Sequence, residues 1–292
     1  MERALILAGG GTRGAFQVGV WQYLREKRWE PDMICGSSVG AINATAIGSG
    51  ISIEQLLQLW RTCERRNVYR MTLGKSLRAL LHRDKFVALS RTEPLRVLLK
   101  KHLNVEVLRN SKTEIIITAV NLYTSHLTFF NQHSITVDHV MAATAIPMLF
   151  PWQFINQEPY WDGGVMANLP LGPALNRNIR DIIVVLLSPV GRFAQPLPKD
   201  HRQVAELTFE QLLLGSFDLL TTDQFRADHK FESRAPDSDD TAPRNGKSKI
   251  HFVAPTRMLG FRSLLHFSQK QTNMLLKEGY ENAHQQLTNL FN

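Results

Sequence analysis

The 292-residue chain holds only two cysteines, Cys35 and Cys63, too few for a disulfide framework or a four-cysteine zinc site and in keeping with a reducing compartment. It also lacks a long apolar run. The stretch that starts at Ala4 reaches glycine after five residues, which is too short for the core of a secretory leader. The 21 uncharged residues between Asp32 and Glu54 include Gly36, Ser37, Ser38, Gly40, Asn43 and Thr45, a set too polar for a good membrane helix. The expectation is a cytoplasmic protein with no signal peptide and no transmembrane helix. No period of about 20 to 50 residues repeats. No metal-ligand spacing is present either: Asp237, Asp239 and Asp240 lack the glycine and distal glutamate of a calcium loop. Neither a metal nor a cofactor is expected.

What is present is an ordinary globular composition, 43% hydrophobic and 21% charged with 18 Gly and 13 Pro, which excludes full-length disorder and collagen. The formal charge of +8 is spread unevenly. From Arg61 to Lys112 there are 14 Lys and Arg against four acids, so the remainder of the chain is slightly acidic. Such a basic face is ordinarily just solvated, but the interleaved Leu77, Leu80, Leu81, Phe86 and Val87 also suit peripheral contact with an anionic membrane. Positive charge alone does not choose among lipid, nucleic acid and solubility.

Short apolar runs followed at once by glycine turns and helical patterns point to an α/β sheet with its working edge at the strand C-termini. Ala4 to Ala8, then Gly9-Gly10-Gly11, then Ala15 to Leu24 reads as strand, turn and helix; Met33 to Cys35, Gly36 to Gly40 and Val39 to Ile47 repeat it. Helices are expected over Ile53 to Arg66, from Thr92 as N-cap through His102, over Val137 to Ala145, over about 203 to 220 and over Ser263 to Leu290. Strands are expected over Glu114 to Leu122, Leu127 to Asn131, Ile182 to Leu187 and Ile250 to Ala254, with a hairpin around Asn156-Gln157. Ser233 to Lys249 has no periodicity and carries Pro236, Asp237, Ser238, Asp239, Asp240, Pro243, Asn245 and Gly246. The organisation is read as one domain over 1–292, its core about 4–190 plus 250–290, with a mobile insertion at about 226–249.

Three motifs carry chemistry. Gly9 to Gly14 satisfies G-x-G-x-x-G between strand and helix. A P-loop is excluded, because Ala15 and Phe16 follow Gly14 where Lys and Ser/Thr are needed; a dinucleotide loop is disfavoured, because Asp32 precedes the second strand instead of ending it. The remaining use is an oxyanion hole of exposed backbone N–H groups. Gly36-Ser37-Ser38-Val39-Gly40 is G-x-S-x-G between strand and helix, where a tight turn pushes a serine out over the strand ends; a plain helix cap is the alternative. Asp162-Gly163-Gly164 ends the apolar hairpin Phe154 to Trp161. A turn is its simple reading, yet with the other two motifs it supplies the base that acyl transfer needs.

These residues resemble the patatin-like phospholipases, whose signature is G-G-G-x-R/K-G, then G-x-S-x-G, then D-G-G or D-G-A. The resemblance extends through Ala143-Thr144-Ala145-Ile146-Pro147, Phe150-Pro151 and Asn168-x-Pro170, covers about residues 4 to 190, and has weaker echoes at 250–255 and at Gly279-Tyr280. It implies a three-layer fold with a mostly parallel central sheet flanked by helices. It also implies a Ser38–Asp162 dyad without histidine, Gly9, Gly10, Gly11, Thr12, Arg13 and Gly14 as the oxyanion loop, Gly36 and Gly40 as the elbow, and Gly163 and Gly164 behind the base. The activity implied is cleavage of carboxylic esters of lipids, of phospholipase A or lysophospholipase type, on phospholipid or lysophospholipid. A hidden triad would need one of His201, His229, His251, His266 or His284, none of which lies in a positioning motif. Arg13 faces either a substrate phosphate or its own loop. Met141, Met148, Leu149, Phe150 and Trp152 are candidates for an acyl pocket, with core packing as the competing reading. The alternatives are a small-ester or thioester hydrolase without membrane preference and, from another class, a nucleotide or nucleic-acid binding protein.

Overall fold

Short apolar runs that end in glycine turns set the topology. The computed structural model describes residues 1–72, 88–188, 248–257 and 261–291. Arg3–Leu7 forms β1 and, after a 3-10 turn at Gly11–Arg13, Gly14–Glu26 forms α1. Met33–Gly36 (β2) leads into Val39–Gly48 (α2) in the same way. Ile53–Thr62 (α3), Arg65–Val68 (α4), Arg70–Met71 (β3), Ser90–Arg91 (β4), Glu93–His102 (α5) and Val105–Arg109 (α6) then lead to Glu114–Asn121 (β5). His126–Asn131 (β6), Val137–Ala143 (α7), Gln153–Ile155 (β7), Glu158–Asp162 (β8), Gly172–Asn176 (α8) and Asp181–Val185 (β9) follow. Lys249–Val253 (β10), Gln269–Gln286 (α9) and Thr288–Phe291 (α10) complete the described elements.

The sheet runs β10-β9-β1-β2-β5-β8-β7, with β6 on β5. The pairs β10–β9, β9–β1, β1–β2 and β2–β5 are parallel, and β5–β6, β5–β8 and β7–β8 are antiparallel. Side chains that alternate along each parallel strand feed two layers. Leu5, Leu7, Ile34, Ile115, Ile117, Ile183 and Val185 pack with apolar residues of α1, α2, α3, α5, α7 and α9. Ala4, Ile6, Met33, Cys35, Ile116, Ile182 and Val184 face the other way, onto Leu169, Leu171, Ala174 of α8 and Ile179. The expected three-layer arrangement with a mostly parallel sheet is therefore the observed one, and β10 returns the chain to the sheet that β1 starts.

Several boundaries differ from the sequence reading. The helix expected over 53–66 ends at Thr62, because Cys63 and Glu64 are extended, and α4 starts separately with Glu64 and Asn67 as a capping box. That break turns Val68 and Tyr69 back towards the pocket that α3 lines. The helix expected from Ser263 starts at Gln269, where the Ser268 hydroxyl accepts the Gln271 N–H, and a 3-10 turn covers Phe261–Leu264. The Asn156-Gln157 hairpin has positive φ at both central residues, the turn geometry that matches strand twist. The helix expected over 203–220 and residues 226–247 of the expected insertion lie outside the described residues; Lys249, placed in that insertion, opens β10.

One register detail positions the chemistry. β6 occupies one edge of β5 from Ile116 to Asn121. On the other edge β2 pairs with Glu114–Ile117 and β8 pairs, in the opposite direction, with Ala119–Asn121. β2 and β8 thus point their C-terminal ends at each other, Gly36 opposite Ile117 and Asp162 opposite Ala119. Because β1 lies beside β2, its glycine loop arrives at the same edge.

Candidate active site

Ser38 stands between β2 and α2 at φ 53 and ψ −123, a conformation that costs a non-glycine residue free energy and persists only when its surroundings impose it. Those surroundings leave no room for alternatives. The Ser37 N–H donates to Leu7 O at 3.2 Å, Gly40 N–H to Ser37 O at 2.8 Å and Ala41 N–H to Ser38 O at 2.9 Å. A Cβ on Gly36 would stand 2.3 Å from Gly40 O, and one on Gly40 would stand 2.2 Å from Leu7 O, so the turn closes only with glycine at both places. The two serines part company here. Ser37 is wholly buried and its hydroxyl has no hydrogen bond, whereas Ser38 opens onto a pocket.

Asp162 meets Ser38 across the gap between the ends of β2 and β8. Its N–H donates to Ala145 O at 3.0 Å, and its Oδ1 accepts the Gly164 N–H at 2.8 Å. Oδ2 is buried without a well-formed hydrogen bond, and the Ser38 hydroxyl is the side chain that faces the carboxylate. Burial pushes the Asp162 carboxyl up to about 7, against the opposing pull of the Ser38 hydroxyl and the Gly164 N–H. Gly163 lies flat on β5; a Cβ there would be 2.2 Å from Thr118 Oγ1.

The glycine loop bends over the same point. Gly11 has φ 57, and a Cβ on it would sit 2.2 Å from Leu264 O; a Cβ on Gly9 would sit 2.3 Å from Asn168 Oδ1 and 3.0 Å from Ser38 Cβ. Asn168 and Ser38 therefore face each other across the space that Gly9 leaves open. No acceptor among the described residues takes the N–H of Gly10, Gly11 or Thr12. Arg13 is 1% exposed; its Nε donates to Ser263 Oγ at 2.7 Å and an Nη to Ser188 Oγ at 3.4 Å, so it braces the loop and is not turned to solvent. The Thr12 hydroxyl donates to Ser263 O, and Gln271 Nε2 donates to both Thr12 Oγ1 and Ser263 O. Gly14 O accepts from Asn43 Nδ2 at 3.0 Å; Asn43 also donates to Gln17, and Gln17 donates to Ala8 O. That buried amide chain ties both turns together, and Trp60 Nε1 joins it at Asn43 Oδ1.

From Ser38 and Gly11 the pocket runs between α2, α3 and α5, lined by Val39, Ile42, Leu56, Leu59, Trp60, Leu95, Leu98, Leu99, Tyr69, Phe150 and Phe267 among others. Its walls are mostly apolar. Of the five residues expected there, only Phe150 is in place: Met141 packs in the core, Met148 is 64% exposed, and Leu149 and Trp152 do not line it. Cys63 is in the wall, its thiol pushed up to about 11 by burial and so protonated at neutral pH.

No histidine among the described residues hydrogen-bonds Ser38 or Asp162 or acts on the ionisation of Asp162. His284 packs edge-on against Tyr23, far along α9; His201 and His229 lie outside the described residues. Asp32, the residue tested as a ribose acid, accepts the N–H groups of Glu2 and Arg3 at 2.6 and 3.0 Å, so it caps the start of β1 at the end away from the glycine loop. No group of three His, Cys, Asp or Glu side chains among the described residues converges as a metal site, and no described helix is long and apolar enough to cross a membrane.

The triacylglycerol lipase ptl3 of Schizosaccharomyces pombe is 58% identical over 43 residues, 15% of this chain and 9% of that one. A cGAMP-activated phospholipase of Pseudomonas aeruginosa is 27% identical over 186 residues, 57% of this chain and 53% of the relative, so the chain spans about half or less of these curated relatives. Among solved structures, VipD from Legionella pneumophila superposes with a TM-score of 0.50 at 16% identity, over 99% of this chain and 67% of that one, a likeness of fold. The family profile described as patatin-like phospholipase matches residues 5–175, more than half of the chain. On that match and the shared fold, the chain belongs to the patatin-like phospholipase family.

Proposed function

We propose that the protein is a serine acyl hydrolase that cleaves carboxylic esters of lipids, phospholipid or lysophospholipid, through Ser38 and Asp162. The observation that carries this reading is the strained Ser38 elbow opening on an apolar pocket with a buried, proton-accepting carboxylate against it. The names of both curated relatives support a lipid ester, and the one that matches over the longer stretch is a phospholipase.

In the first half-reaction the Ser38 Oγ attacks the acyl carbonyl carbon while Asp162 takes its proton. The oxyanion rests on the N–H groups of Gly10, Gly11 and Thr12, which no acceptor among the described residues takes and whose loop Arg13 braces from behind. Collapse breaks the ester C–O bond and Asp162 returns the proton to the leaving alcohol, with the acyl group left on Ser38. Water then attacks, Asp162 takes one of its protons, and the acid leaves as Ser38 Oγ recovers that proton. The acyl chain lies along α2 against Ile42 and Leu56. Nothing in this scheme requires a metal or cofactor. A small-ester or thioester hydrolase would not need so long an apolar wall, and a nucleotide-binding protein would leave the Ser38 strain without a use.

The base sets a pH profile. Below about 7 the Asp162 carboxyl is protonated and cannot accept the Ser38 proton, so kcat/KM on a soluble ester should rise with pH through about 7 and level off above it. A profile flat from pH 5 to pH 9 would remove Asp162 as the base. The pocket sets a second expectation. Ile42 is one helical turn beyond Ser38, so Ile42→Trp should narrow the channel near the nucleophile. The ratio of long-chain to acetate ester turnover should fall by about one to two orders of magnitude, with acetate turnover largely retained. An unchanged ratio places the acyl chain elsewhere.

A further inference from the structure

The sequence assigns a basic stretch to Arg61–Lys112, and three of its described cations have local partners. Arg66 pairs with Glu64 at 2.8 Å, Arg96 bonds Asp138 and Gln153, and Arg65 lies over the Tyr69 ring. Arg70 and Arg91 differ. They are direct partners in the two-residue antiparallel ribbon of β3 and β4, so both guanidinium groups leave the same face. Like charges placed so cost free energy unless something neutralises them. Both side chains are exposed, and neither has an ion pair or hydrogen bond with a described residue. On the opposite face Met71 is exposed, whereas its partner Ser90 is buried and donates to Leu149 O at 2.7 Å.

This cationic face is tied to a segment that lines the pocket. The Leu89 N–H donates to Met148 O at 3.0 Å, which joins the ribbon to the 146–150 loop. Met148 is 64% exposed and has φ 64, so the backbone is held in an unfavourable conformation that turns a large apolar side chain outward; Leu89 is exposed beside it. The neighbours of these residues in sequence, Ile146, Phe150 and Tyr69, line the pocket. Paired arginines without an ion pair among the described residues, next to outward apolar side chains and joined to a segment that lines an apolar channel, fit one surface chemistry: phosphate-bearing headgroups over acyl chains.

We infer that Arg70, Arg91, Leu89 and Met148 form the rim by which the protein docks on an anionic phospholipid bilayer. The inference rests on the lipid-hydrolase reading above for the direction in which substrate enters. The arginines engage lipid phosphates, and Met148 and Leu89 dip between headgroups, which sets the pocket mouth against the acyl region and spares the chain a passage through water.

The test uses the full chain carrying Ser38→Ala, so that vesicles stay intact, in co-sedimentation with phosphatidylcholine vesicles and with vesicles holding about 30% phosphatidylserine at low salt. Arg70→Gln with Arg91→Gln should lower partition onto the anionic vesicles roughly tenfold or more, Arg70→Lys with Arg91→Lys should retain most of it, and raised salt should weaken the parent. Met148→Asp should lower partition on both vesicle types. Each rim variant is also made with Ser38 intact, and its turnover of a soluble short-chain ester should match the parent, which reports folding and catalysis separately from docking. Equal partition of the double Gln variant and the parent overturns the inference, as does an equal fractional loss on phosphatidylcholine alone. If the parent fails to hydrolyse the soluble ester, the hydrolase reading fails while the vesicle result still judges the surface.

Discussion

Replacing Ser38 by Ala should lower kcat for ester hydrolysis by about four orders of magnitude or more, the scale at which removal of a covalent nucleophile acts, and should abolish labelling by a fluorophosphonate. Ser37→Ala is the matched control. The Ser37 hydroxyl is buried without a hydrogen bond, so its removal deletes an unsatisfied group and should leave stability unchanged or slightly raised and turnover within about tenfold. Steady-state turnover with circular dichroism for folding, and mass spectrometry of the labelled peptide, decide the matter. Equal loss in the two variants, both folded, would sink the assignment of Ser38. Gly11→Ala is a poorer probe of the loop, because its Cβ would collide with Leu264 O and disturb the backbone as well as the approach to charge.

The second large effect is expected for Asp162→Asn. The amide keeps the shape but cannot accept the Ser38 proton, so kcat should fall by about three to four orders of magnitude while the fold persists. Stability should move the other way. The carboxyl is held in the folded state at about 7, above its ordinary value of 3.8, so the folded protein binds this proton more tightly than the unfolded chain does. That contribution is fully present below the unfolded value and is lost as pH rises through the folded one. Asp162→Asn should therefore raise Tm at pH 8 and give no difference below about pH 4, measured by thermal melts across that range. A variant that loses Tm at pH 8 would mean that the carboxylate is structural. If any single change among His201, His229, His251, His266 and His284 to Gln costs as much turnover as Asp162→Asn, the two-residue mechanism falls.

The chemistry-bearing turns were legible because their signals are local. Five apolar residues before Gly9, three before Gly36 and an apolar hairpin before Asp162 each announce strand and turn within about ten residues, and the residues after the first two glycine turns carry helical patterns. The order of the motifs in the chain, however, says nothing of their meeting. Ser38 and Asp162 are separated by more than 120 positions, and they meet because β2 and β8 abut on one edge of β5, a matter of register between strands that no local pattern encodes.

The pocket shows the same division. Ile53, Leu56, Leu57 and Trp60 read as a helical stripe, but a stripe that packs on a neighbour and one that faces an open channel have the same period. Leu57 belongs to the core while Leu56 and Trp60 also line the channel, and the distinction depends on how α3 and α5 lie across α2. Arg13 was equally open between substrate and loop until burial beside Ser263 put it behind the loop. The same holds for the acidity of Asp162: the letter D before two glycines names a carboxyl, but only its removal from water by β5, β8 and the Ala145 segment raises it to about 7, as the proposed base requires. Residue types and short spacings thus carried the strands, turns and candidate reacting groups, because these depend on neighbours in the chain. Proximity, burial and the apolar channel came from packing between distant segments, because solvent exclusion and strand register are properties of the assembled sheet.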